Sequence, residues 1–314
     1  MLSGEKILVT GGSGLVGREL AGPLAKDNEV WAVSRFLPDE ARAGSVNSWA
    51  IGRQAIEDMG IKTFAADLTG DLDGLPSDFT YVLHLAHTRL APEKVYDAVR
   101  SNTLTAARVL NHCRKAKAAL VMSSSAVYSF PKDVWDVIDE RSELGKSGPP
   151  FQNATSPASK ISLEATARAC AAILGLRVVA MRLNVCYGPG GGMPVRDMDR
   201  IVAGEPITHY GDPYPHSPIH FADMSDQLEA LFDAASTDAL FVNWCGDETV
   251  TQRQWCEQAA ALAGRRPELT PIPGAPGNIN DPTLRRSITG PCKHSFEKGF
   301  AEVYRMRHGA AAAH

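Results

Sequence analysis

Gly11, Gly14 and Gly17 stand three residues apart in Thr10-Gly11-Gly12-Ser13-Gly14-Leu15-Val16-Gly17, directly after the apolar run Ile7-Leu8-Val9. A strand, a glycine turn and a helix start in that order make a chemistry of anion binding. Gly11 allows the tight turn, Gly14 lets backbone approach a phosphate, and Gly17 lets the helix pack closely on the strand. Ser13 lies in the turn, and the N–H groups of Leu15 and Val16 open the helix at its positive dipole end. These residues are expected to hold the pyrophosphate of a dinucleotide.

The end of the second strand decides which dinucleotide. A carboxylate there holds the ribose hydroxyls of NAD, whereas a ribose phosphate needs a cation. The chain has Val33-Ser34-Arg35, a hydroxyl followed by a forked guanidinium. This predicts NADP(H), with NAD(H) second. Asp67-Leu68 closes a third strand, where the carboxylate can accept from the adenine amino group. His84-Leu85-Ala86-His87 closes a fourth, beside the pyrophosphate path. His84 reads as structural, and His87, at the carboxyl edge, as lining the nicotinamide end.

These groups need a scaffold, and the hydrophobic pattern supplies one. Candidate strands at 7–10, 30–34, 63–66, 81–86, 120–123 and 178–182 alternate with helices at 15–25, 95–114 and 159–174. That alternation predicts an α/β fold, a Rossmann-type doubly wound parallel sheet covered on both faces. Pro23 is expected to kink the first helix. After Arg182 the texture changes to a proline- and glycine-dense stretch from Gly188 to Pro194, with little periodicity until Ile201. A helix at 224–235 and a strand at 241–245 look like a return to the sheet. Thr251 and Gln254 form a capping box for a helix to Leu262, and a last helix spans 295–305. The domain reading is 1–182 for the nucleotide, with 222–245 returning to it. Residues 183–221 and 246–309 form a smaller α/β substrate-binding region, and 310–314 a disordered tail.

Composition excludes other classes. A net charge of −4 with scattered lysines and arginines argues against nucleic acid as a partner. No apolar run reaches the roughly 18 residues that span a membrane. The first strand begins too early for a secretion signal, so the cytoplasm is expected. The six cysteines show no metal-ligand spacing and read as reduced thiols.

Beyond the glycine turn, the chain carries Asp67-Leu68, His84-Leu85-Ala86, Asn102, Ser123-Ser124-Ser125-Ala126-Val127-Tyr128, Ser159-Lys160, Arg182, Tyr187-Gly188-Pro189 and Pro218-Ile219-His220-Phe221-Ala222-Asp223. In this order they resemble the extended short-chain dehydrogenase/reductase family, the group of NAD(P)-dependent epimerases, dehydratases and reductases. The resemblance implies a serine, a tyrosine and a lysine acting together, and Ser124 and Lys160 match two of them. Four residues before Lys160, where the tyrosine belongs, stands Ser156. A serine is too weak an acid to replace a phenol, so the proton is expected from Tyr128, His87, Tyr187 or water, and not through Ser156. Ser125, Ser156, Asn184, Tyr187, Tyr214 and His216 are the residues assigned to substrate, with Tyr210 adding to an aromatic pocket. The stretch Gly211–Pro218 lacks the arginine with which sugar-nucleotide enzymes grip a diphosphate. The resulting expectation is an NADPH-dependent oxidoreductase acting on a small non-nucleotide carbonyl, enone or imine. The alternatives are a sugar-nucleotide epimerase or dehydratase and a catalytically silent NADP(H) sensor. The resemblance also implies a homodimer built on a helix pair.

Overall fold

Ile7, Leu8 and Val9 are buried to the last atom, which is what a strand covered on both faces requires. In the structure, a computed structural model that describes residues 2–37, 50–145, 155–209, 211–272 and 277–309, this run is the middle of a seven-stranded sheet. Its strands are β1 (Lys6–Thr10), β2 (Glu29–Ser34), β3 (Lys62–Ala65), β4 (Tyr81–His84), β5 (Ala118–Ser124), β6 (Val178–Leu183) and β7 (Leu240–Trp244). They lie in the order β7-β6-β5-β4-β1-β2-β3, and the pairings from β3 through β5 are parallel. The order reverses between β1 and β4, so a crevice opens beyond their carboxyl ends, the place where such sheets take ligands.

The chain divides into two compact units, 1–127 with 152–182 and 225–242, and 128–151 with 183–224 and 243–314. The stretch 128–151 therefore groups with the second unit, whereas the sequence boundary at 182 had kept it in the first. In the first unit, α1 (Leu15–Leu24) follows β1, and α2 (Val95–His112) packs beside α3 (Ser156–Leu174). Leu8, Val82 and Val121 from the strands meet Ala106, Val109 and Leu110 of α2 and Leu163, Ala167 and Ala171 of α3 in one apolar cluster. Pro23 falls in the last turn of α1, inside the helix and one residue before its end.

The second unit has its own core. Tyr187, Trp255, Phe296 and Phe300 are buried among α4 (Met193–Ala203), α6 (Gln252–Leu262) and α7 (Phe296–His308), with α5 (Phe221–Ala234) preceding α6 in the chain. The capping box of α6 is present as read, Thr251 accepting from Gln254 N–H and Gln254 from Thr251 N–H. Helix α4 was not legible, because Gly191, Gly192 and Pro194 crowd its start. Residues 310–314 and Tyr210 lie outside the described residues. No described helix is long and apolar enough to cross a membrane.

Candidate active site

The glycine turn is built as a cradle. Gly11 has φ +70°, and a Cβ on it would come within 3.0 Å of the Ala86 backbone. A Cβ on Gly17 would lie 2.3 Å from the Gly11 carbonyl oxygen, so Gly17 is needed for the packing of α1 itself. Gly14 differs: its Cβ would meet only that carbonyl, at 3.2 Å. Gly14 also caps α1 with no side-chain acceptor, which leaves the first N–H groups, those of Leu15 and Val16, for an anion. The turn fits a dinucleotide pyrophosphate.

Around it, Thr10 ties β1 to the end of β4. Its Oγ1 accepts from the N–H groups of Leu85 (3.2 Å) and Ala86 (3.3 Å), so its own proton goes to His84 Nδ1 at 2.9 Å. His84 is fully buried, and burial, aided by the Lys160 charge, pulls its pKa down to about 3. At the end of β2, Ser34 Oγ and Ser13 Oγ share a hydrogen bond of 2.6 Å, while Arg35 is exposed. Asp67 Oδ1 accepts from the Thr69 N–H and hydroxyl, at 2.9 and 2.7 Å. Those bonds first, and the Arg35 charge last, hold its carboxyl below the usual range. Leu68, beside it, is buried.

Ser124 ends β5, and its Oγ accepts from Ala126 N–H at 3.2 Å, which keeps the hydroxyl proton for an external oxygen. Lys160 on α3 is 5% exposed and donates Nζ–H to the carbonyl of Met122, two residues before Ser124, at 2.5 Å. Burial, then the charge of Arg89, lower its pKa to about 7 against the opposing pull of Glu164. Glu164, one turn on from Lys160, receives Ser123 Oγ at 2.5 Å and Arg182 in a two-pronged pair at 3.0 and 2.9 Å. This buried network holds β5, β6 and α3 in register behind Ser124. Sequence reasoning gave Glu164 no role, although its i+4 spacing from Lys160 puts both on one helix face.

His87 places Nδ1 2.9 Å from Asn102 Oδ1 and Nε2 3.4 Å from Ser156 Oγ. Three of the residues assigned from sequence thus meet in one unit: His87, Ser156 and Lys160, whose charge lowers the His87 pKa. Ser125, next to Ser124, is buried.

The remaining candidates belong to the second unit, where they serve its packing. Tyr128 is 3% exposed and donates its hydroxyl to Asn243 Oδ1 at 2.6 Å. Asn184 gives Nδ2–H to Asn278 and Asn280, while its Oδ1 accepts from Val185 N–H and Ser217 N–H. Tyr187 meets His220 and Phe300 edge-on and Phe296 at a tilt, and burial pushes its hydroxyl pKa up. Tyr214 meets His216 edge-on at 4.5 Å, and burial brings His216 down to about 3.

Comparison with known proteins completes the assignment. The chain matches the NAD dependent epimerase/dehydratase family over residues 7–237. Among solved structures it is similar to MoeE5 in complex with UDP-glucose and NAD, with 23% identity, a TM-score of 0.78 and coverage of 98% of this chain and 99% of that one. It is similar to UDP-glucuronic acid 4-epimerase from Bacillus cereus in complex with NAD, with 18% identity, a TM-score of 0.80 and 98% of each chain covered. A third is UDP-N-acetylglucosamine 4-epimerase from Methanobrevibacter ruminantium M1 in complex with UDP-N-acetylmuramic acid, with 19% identity, a TM-score of 0.77 and coverage of 98% and 100%. At these identities the likeness is one of fold.

Two expectations are overturned. NADP(H) gives way because the similar structures hold NAD. At the end of β2 the Ser34 hydroxyl is paired with that of Ser13, and Arg35 stands exposed. The reductase of a non-nucleotide carbonyl gives way because the matched family and the UDP-sugar complexes point to sugar nucleotides. The missing arginine of Gly211–Pro218 had carried too much weight, because helix N-termini and backbone N–H groups bind phosphates without one. The sheet order, the glycine cradle, the Lys160 environment and the match over most of the sequence agree: the chain is an enzyme of the extended short-chain dehydrogenase/reductase type and belongs to the NAD dependent epimerase/dehydratase family.

Proposed function

We propose that the protein is an NAD-dependent epimerase or dehydratase of a nucleotide-linked sugar. The observation that carries this reading is the extent of the likeness: 98% of the chain, second unit included, follows structures that hold UDP-sugars and NAD. The pyrophosphate is held by Ser13, Gly14 and the N–H groups of Leu15 and Val16. The Ser13–Ser34 hydroxyl pair serves the adenosine ribose, with Asp67 and Leu68 beyond it and Leu85 and Ala86 on the opposite wall. When bound, NAD supplies reversible hydride transfer at a sugar carbon.

Lys160, held near neutrality by its burial, offers Nζ–H to ribose hydroxyls. Ser124 Oγ donates to the sugar oxygen as negative charge grows on it, and the Glu164–Arg182 pair keeps β5 and α3 fixed while it does so. The homodimer belongs to the same reading, supported by Tyr96 on α2 and Ile173 on α3, apolar side chains 85% and 81% exposed.

Titration calorimetry tests the binding half. NAD is expected to bind more tightly than NADPH, and UDP-glucose or UDP-glucuronic acid to bind the NAD-loaded protein. NADPH binding tenfold tighter, or no heat with any uridine diphosphate sugar, would remove the reading.

A further inference from the structure

Ser156 leaves the site without a phenol, and the hydroxyl that stands there faces the imidazole of His87. The tautomer of that ring follows from its other partner. Asn102 donates Nδ2–H to two backbone carbonyls, those of Thr88 at 2.9 Å and Ala98 at 2.8 Å, which fixes the orientation of its amide. Its Oδ1 accepts from Thr88 N–H at 2.9 Å and faces His87 Nδ1 at the same distance. An acceptor opposite Nδ1 requires the proton on Nδ1, so the neutral ring carries its lone pair on Nε2. That lone pair points toward Ser156 Oγ across 3.4 Å, a contact long enough for another hydroxyl to displace.

We propose that His87 Nε2 exchanges the proton with the substrate hydroxyl in place of the missing phenol, and that Asn102 is the positioning residue that fixes its tautomer. The proposal rests on the reading of the protein as an enzyme that oxidises and re-reduces a sugar carbon. In the step itself the substrate O–H bond breaks and an N–H bond forms at Nε2. The O–H electron pair stays on oxygen, leaving one negative oxygen and one imidazolium, and the return step reverses both changes. Ser124 Oγ–H supports the oxygen, and Nδ1–H keeps its bond to Asn102.

The surroundings are consistent with this. Burial lowers the pKa of His87 to about 2, helped by the charges of Lys160 on α3 and Arg89, slightly by His84 on β4, and opposed by Asn102 on α2. Nε2 is therefore free of a resting proton throughout the working pH range. The negative oxygen formed beside it supplies the counter-charge that the imidazolium lacks in the resting site. This revises the roles read from sequence: Tyr128 is committed to Asn243, and the serine at 156 needs no acidity of its own.

Long-range proton–nitrogen NMR of the full chain with labelled histidine tests the proposal without turnover, His87 being assigned by the loss of its signals in His87→Gln. The expected result is the Nδ1–H tautomer from pH 5 to 8. An Nε2–H tautomer overturns the proposal. In turnover of a sugar nucleotide, His87→Gln is expected to lose a hundredfold or more in kcat with NAD affinity unchanged, and an unchanged kcat overturns it equally. Asn102→Leu, which removes the acceptor opposite Nδ1, is expected to bring the Nε2–H tautomer of His87 into the same spectra, and an unchanged Nδ1–H tautomer counts against the positioning role. If the unaltered protein turns over no sugar nucleotide, the proposed function fails while the tautomer still decides the assignment of His87.

Discussion

Lys160 is an ammonium held where burial opposes its charge, and the pH dependence of that opposition can be measured. With its folded pKa at about 7 and an ordinary value of 10.5, the folded state binds fewer protons between those two values. Stability from this residue is therefore at its lowest below pH 7 and rises as pH climbs toward 10.5. Lys160→Met, which fills the same volume without the charge, is expected to flatten that rise in urea midpoints taken at pH 7 and 9, and an unaltered slope would refute the assignment. The same residue serves the reaction, so Lys160→Ala and Ser124→Ala are each expected to lower kcat at least a hundredfold, the size usual for a lost transition-state hydrogen bond. Ser156→Ala should lower it less than tenfold, since the hydroxyl ionises far above working pH. At this scale the sequence revealed which residue types stood at which positions but not their partners. Asn184 and Tyr128 looked available for substrate because nothing in their neighbourhood announces Asn278, Asn280 or Asn243, which lie roughly a hundred residues away. His87 was legible from its place just past a strand end, whereas Asn102, which sets its tautomer, became meaningful only once α2 was folded against that loop.

Among the elements, the glycine turn separates packing from binding within four residues. Gly17→Ala puts a methyl 2.3 Å from the Gly11 carbonyl and is expected to destabilise the fold by about 1–3 kcal/mol, read as a lower thermal midpoint. Gly14→Val brings its Cβ to 3.2 Å from the Gly11 carbonyl oxygen, a looser approach than at Gly17, so it should lower the midpoint less than Gly17→Ala while weakening NAD binding severalfold or more. If Gly14→Val binds NAD normally, the cradle is a turn and nothing else. Sequence reasoning had given Gly17 a packing role while counting both glycines with the cofactor, and the 2.3 Å approach to the Gly11 carbonyl shows how little room that packing leaves. The strands were legible because a sheet covered on both faces needs unbroken apolar runs, and Ile7-Leu8-Val9 and Tyr81-Val82-Leu83 are such runs. Helix α6 was legible from its capping box. Helix α4 was not, since Gly192 and Pro194 at its start carry the composition of a loop, and the apolar face of Val195, Met198 and Ile201 spans only two turns.

Across the whole molecule, four histidines with depressed pKa values make acid the point of weakness. His84, His87, His216 and His220 have pKa values pulled down to about 3, 2, 3 and 4, burial being the main cause for each. Above 6.5 folded and unfolded chains both keep them neutral; as pH falls below it, only the unfolded chain takes up their protons, and stability is lost. Near pH 5 that amounts to nearly four protons, or up to about 5 kcal/mol per pH unit, so the urea midpoint is expected to fall steeply from pH 7 to 5. A midpoint that holds across that range would mean that these rings are not kept neutral by the fold. What the whole chain does with a sugar nucleotide is read from the sugar itself. The protein is incubated with NAD and, separately, UDP-glucose, UDP-glucuronic acid and UDP-N-acetylglucosamine, and the sugar ring protons are followed by NMR. One of these sugars is expected to convert to its epimer or a dehydrated product with no net consumption of NAD, whereas unaltered sugars beside a folded, NAD-bound protein would overturn the reading of the chain as a sugar-nucleotide enzyme.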